Sequence, residues 1–145
     1  GEALKPVFKT YANQILKNAQ ALAEALTNRG FKLVTGGTSN HLILADVHSS
    51  FGIDGKVAEE ALDKIGLNLN KNAIADDSLP PFRPSGIRLG TPAITTRGLK
   101  EIDMERIAEW MKQAIDARDD ETTLKKLRAE VRDFSLKFPL PSDKA

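Results

Sequence analysis

Cysteine is absent from the 145-residue sequence. That excludes disulfides, thiolate zinc sites and cysteine nucleophiles. No apolar run approaches a membrane span, and no signal-peptide pattern opens the chain. An excess of one charge is missing too: 21 Lys and Arg face 20 Asp and Glu, a formal net charge of +1. Nothing electrostatic therefore argues for nucleic acid or an anionic membrane as a partner. Histidine is scarce. His41 and His48 stand on a strand and at its exit, which gives little support to a metal site, and His41 reads better as a hydrogen-bonded structural residue. What remains is ordinary for a globular chain: 41% hydrophobic and 28% charged residues, long enough for one domain with its own core. A cytoplasmic protein is the expectation. Gly1–Leu4 does not read as a natural start and suggests a trimmed piece.

Helical periodicity appears first. Pro6 suits a first helical turn, and Tyr11, Ile15, Ala19, Leu22 and Leu26 recur on one face. With Arg29 in its last turn and Gly30 as C-cap, the pattern predicts a helix from about Val7 to Asn28. Phe31–Thr35 and His41–Val47 read as strands joined by the Gly36–Asn40 turn, an antiparallel pair. Asp54 is placed to cap a second helix that Gly66 ends, and Leu67–Asn70 alternates like a short strand. The acids Asp46, Asp54, Glu59, Glu60 and Asp63 leave a carboxylate pair open, although most of them read as a solvated helix face. Asp103 is expected to cap a third helix with Met104, Ile107, Ala108, Met111 and Ile115 inward and Trp110 facing another surface. Leu124, Leu127, Val131, Phe134 and Phe138 mark a fourth, stopped by Pro139 and Pro141.

Asn68–Gly98 is the stretch around which the rest is arranged. Pro80, Pro81 and Pro84 fix φ and exclude helix before them. In Ser85-Gly86-Ile87-Arg88-Leu89-Gly90-Thr91 a short strand would put Ile87 and Leu89 on one side and Arg88 on the other. The flanking glycines permit close approach, and a guanidinium fork suits a carboxylate or phosphate. Spacing alone leaves two readings open: such a fork, or the commoner surface arginine on an edge strand. The proline-rich segment Lys71–Pro84 reads as polar, short of apolar anchors and more mobile than the strands around it.

The run SGIRLGTPAITTRG, preceded by NKNAI and PPF and by GGTSNHLILADV upstream, resembles the C-terminal part of serine hydroxymethyltransferase. The resemblance covers nearly the whole chain. It implies a parent enzyme that uses pyridoxal phosphate and tetrahydrofolate to interconvert serine and glycine, as a homodimer or tetramer. It implies that Arg88 grips the substrate carboxylate and that Asn72, Pro80, Pro81 and Phe82 contact the folate. Pro80 replaces a serine frequent in the family, leaving only its carbonyl or packing for contact, and Ser39 stands where aspartate is common. The family's Schiff-base lysine context and phosphate loop do not occur here, so no catalytic residue is assigned and the isolated chain is expected to be inactive. The alternative is a stand-alone, non-catalytic binding module of the same fold.

Strands and helices in mixed order argue α+β, with a small, mainly antiparallel sheet covered by helices. The resemblance makes it the C-terminal small domain of a type I pyridoxal-phosphate enzyme. One domain, 1–145, would comprise a linking helix over 1–30, the sheet and substrate loop over 31–98, and C-terminal helices over 99–145.

Overall fold

The computed structural model describes residues 5–34, 42–91, 95 and 97–138. Helix α1 (Lys5–Asn28) buries Ala19, Leu22 and Leu26 of the predicted stripe, with Ala23 and Ala25 beside them, and leaves Tyr11 and Ile15 half-buried. It ends as the sequence suggests. Gly30 takes φ +93°, and the N–H groups of Gly30 and Phe31 return to the carbonyls of Thr27 and Leu26. Arg29 folds back onto the Ala25 carbonyl (2.9 Å) and pairs with Glu105 (2.8 Å) and Glu109 (3.2 Å).

Strands β1 (Lys32–Leu33), β2 (Leu42–Asp46), β3 (Asn70–Asn72) and β4 (Gly86–Gly90) form one antiparallel sheet in the order β1-β2-β4-β3. The expected pairing of the first two strands is present; Gly36–Asn40 and His41 lie outside the described residues. β3 begins at Asn70, later than the alternation of Leu67–Asn70 suggested, so the pairing segment is Asn70-Lys71-Asn72. Between β2 and β3 lie α2 (Val47–Phe51) and α3 (Gly55–Lys64). α2 was not anticipated, since five residues are too few to display a helical period. His48 sits in it, exposed. Asp46 caps α2 by accepting the Ser49 N–H (3.0 Å), and Asp54 caps α3 by accepting that of Val57 (2.9 Å). Gly66 at φ +88° closes α3 as Gly30 closes α1.

Helices α4 (Glu101–Asp116) and α5 (Glu121–Ser135) follow β4. Lys100, not Asp103, holds the cap position of α4. Asp103 lies three residues in and accepts the Lys100 N–H (2.8 Å), which is the second half of a capping box. Trp110 does meet another surface. Its Nε1 donates to Glu130 (3.3 Å), and its ring stands edge-on to Phe134 at 5.2 Å. Pro139 and Pro141, the expected stop after α5, lie outside the described residues.

The sheet carries its core on one face. Leu33, Ile43, Ala45 and Ile87 point into an apolar cluster with Leu22, Leu26, Leu62, Met104 and Met111 from the helices. Full burial of such side chains is worth roughly 1.5–3 kcal/mol each, which is what holds sheet and helices together. The opposite face carries Lys32, Leu42, Leu44, Asn70 and Arg88, all exposed or half-buried.

Candidate functional site

Alternation along β4 sets the site. Ile87 is fully buried, so Arg88 must project from the open face. Its cross-strand partners are Leu44 on β2 and Asn70 on β3. Gly86 and Gly90, two residues either side, place no side chain beside it on that face. Among the described residues, nothing accepts a hydrogen bond from its guanidinium. Five rigid donors thus stand on a glycine-flanked platform, available to a planar anion.

Asn72 pairs with Gly86, which puts it on the same face as Arg88 and diagonal to it across the β3–β4 ladder. Its Nδ2 donates to the Ala73 carbonyl (2.8 Å), leaving the amide oxygen directed away from that contact. The structure therefore brings together the two residues to which sequence reasoning gave different ligands.

Pro80, Pro81 and Phe82 stand apart from the sheet, on the connection from β3 to β4. The Pro80 carbonyl accepts the Arg83 N–H (2.9 Å), so part of its remaining acceptor capacity is already used within the turn. Lys71 Nζ donates to the Phe82 carbonyl (3.2 Å), while the Phe82 residue is 67% exposed. A fixed backbone carrying a bare aromatic ring is a ready surface for a flat heterocycle.

The connection is fastened more closely than its composition suggested. Arg83 pairs with Asp54 (2.8 Å), the Gly55 N–H donates to the Pro84 carbonyl (2.6 Å), and Asp77 accepts hydrogen bonds from Ile74, Leu79 and Ser85. Sequence reasoning singled out neither Asp77 nor Gly55; the only local signal was an Asp-Asp-Ser turn composition. Three of the five acids left open as a catalytic pair have other employment. Asp46 and Asp54 cap helices, and Glu59 accepts the N–H of Lys71 within β3 (2.8 Å). No group of three or more potential metal-ligating side chains occurs among the described residues.

A second concavity, of about 300 Å³, lies elsewhere, between the edge of the sheet and the two C-terminal helices. Leu69, Leu89, Trp110, Met111 and Phe134 make it apolar, and its one cation, Arg97, donates to the Phe138 carbonyl (3.0 Å). None of the sequence-predicted site residues lines it.

An antiparallel sheet presenting an arginine on its open face, with helices behind and a fastened proline loop in the β3–β4 connection, is a small α+β unit. Its first 111 residues match the family model of serine hydroxymethyltransferase, and the chain belongs to that family. A curated serine hydroxymethyltransferase from Acidobacterium capsulatum is 50% identical over 139 residues. The match takes in 96% of this chain but 32% of that protein, so the chain spans about a third of the length of its curated relative.

Proposed function

We propose that the chain is the C-terminal substrate-binding part of a serine hydroxymethyltransferase, a pyridoxal-phosphate enzyme that interconverts serine and glycine and passes a one-carbon unit to tetrahydrofolate. The observation that carries this reading is Arg88, projecting from an open sheet face between two glycines and beside Asn72. The parent protein would be a cytoplasmic homodimer or tetramer. Among the described residues, no helix is long and apolar enough to cross a membrane.

The residues of this chain do not fit pyridoxal phosphate itself. From Lys9 to Lys137 no described lysine is buried, and those with a named partner hold a carbonyl or a carboxylate. When bound, the cofactor supplies an electron sink; its site belongs to the part of the enzyme outside this chain. What this chain does is bind and orient. Arg88 takes the amino-acid carboxylate by two parallel charge-assisted hydrogen bonds, which fixes the direction of the Cα bond to be broken. The β2 and β3 ladders on either side keep the arginine backbone from yielding. Asn72 offers an amide edge to the pterin, and Phe82, with the Pro80–Pro81 turn, walls the slot. Pro80 contributes packing, having no N–H to donate.

Arg88→Lys in the full-length enzyme tests the reading. Lysine keeps the charge and loses the fork. Losing a charged hydrogen bond costs roughly 1.5–3 kcal/mol, so serine affinity falls by about tenfold to a hundredfold. Cofactor content stays as in the wild type. Unchanged serine affinity with a lowered melting temperature would make Arg88 a structural ion-pair partner and end the carboxylate reading.

A further inference from the structure

The connection between β3 and β4 has no regular structure, and besides the Arg83–Asp54 pair and the bonds to the Phe82 and Pro84 carbonyls one carboxylate within it gathers both of its ends. Asp77 Oδ2 accepts the N–H groups of Ile74 (3.2 Å) and Ser85 (2.9 Å). Its Oδ1 accepts the Leu79 N–H (2.9 Å) and the Ser85 hydroxyl (2.6 Å). Four donors from both ends of the segment thus converge on one side chain. The Ser85 hydroxyl first, then the Ser85 and Leu79 N–H groups, hold the carboxyl well below the usual carboxylate range. Asp76 just before it takes φ +54°, a left-handed turn that short acidic residues tolerate.

Two parts of the site depend on this carboxylate to different degrees. Arg88 belongs to β4, which is held over five residues by β2 and over three by β3, without help from Asp77. Pro80, Pro81 and Phe82 belong to no ladder. They hang between Leu79 and Ser85, two of the three residues that Asp77 ties together. We infer that Asp77 is a positioning residue for the folate co-substrate: it presents the Pro80–Phe82 turn to the pterin while leaving the amino-acid arm to the sheet. The inference rests on the hydroxymethyltransferase reading above.

The test is made in the full-length enzyme. Asp77→Asn keeps the size of the side chain but replaces one acceptor oxygen by an NH2 group facing two N–H or O–H donors, so the turn is released rather than merely weakened. The KM for tetrahydrofolate is expected to rise by about tenfold or more, the change that loss of a charge-assisted hydrogen bond produces. Serine affinity, read from the pyridoxal absorbance without folate, should not change. Ser85→Ala removes one donor and keeps all three backbone bonds; its folate KM should rise less. An unchanged folate KM, or an equal loss of serine and folate affinity, would reduce Asp77 to a general structural residue and overturn the inference while the reading of function stands. Should Asp77→Asn fail to fold, Ser85→Ala decides alone, and a wild-type folate KM in that variant overturns it. A wild-type enzyme without folate-dependent serine cleavage would instead remove the reading of function, and the inference with it.

Discussion

Gly55 shows how one missing side chain positions the site. It is the first residue of α3, and its N–H donates to the Pro84 carbonyl at 2.6 Å. A Cβ built there would fall far inside contact distance of the Gly86 carbonyl oxygen and 3.0 Å from that of Pro84. Both atoms are backbone, so no side chain can rotate away. Alanine normally improves a helix interior over glycine by about 1 kcal/mol, but at the first turn that gain is small and the clash decides. Gly55→Ala is expected to destabilise by about 1–3 kcal/mol, the usual range for overpacking, and to push β4 away from α3. Urea denaturation of the variant checks the first part; a wild-type midpoint would mean that the chain relaxes there at no cost. Such a residue is invisible in sequence because its constraint comes from Gly86, thirty-one positions away by numbering.

Among the elements, α1 depends on a polar anchor that periodicity passed over. Asn18 is fully buried. Its Nδ2 donates to the Thr95 hydroxyl (2.8 Å) and the Leu99 carbonyl (3.0 Å), and its Oδ1 accepts from Gln14 (2.9 Å). This ties the helix to the segment that follows the arginine strand. Asn18→Ala would leave the buried Leu99 carbonyl without that donor, at a cost of about 1–3 kcal/mol. Asn18→Asp should cost at least as much, because an ionised carboxylate cannot donate to that carbonyl. Thermal melts of the two variants measure both; stability equal to wild type would mean that water replaces the amide. The signal was present, since Asn18 stands four residues before Leu22 on the stripe, where an apolar residue is the ordinary choice. The long helices were legible because their apolar repeats run for several turns, as were the glycine endings of α1 and α3. β4 was legible from alternation around Arg88. The start of β3 was not, because Asn70-Lys71-Asn72 has no apolar alternation and pairs only through the ladder that β4 offers. The open face of the sheet was equally hidden, since it depends on where helices distant in sequence come to pack.

For the whole molecule, the arrangement of lysines bears on what the chain can do by itself. From Lys9 to Lys137 no described lysine is buried, so none sits in an enclosed pocket that would hold the cofactor in one place. Pyridoxal phosphate added to this chain is expected to label several lysines weakly. Borohydride trapping followed by peptide mapping checks it, and stoichiometric capture on a single lysine would contradict it. The two rims of the sheet matter in another way. Among the described residues, β1 pairs over two residues and β3 over three, so each described edge offers only a short row of free amides to another strand. Short edges work against growth of the sheet from chain to chain, the route by which open β-edges lead to fibrils. Two copies meeting through their open faces would set one Arg88 against another, where repulsion between cations works against the contact. The open face around Arg88 is thus poorly suited to pairing with its own copy.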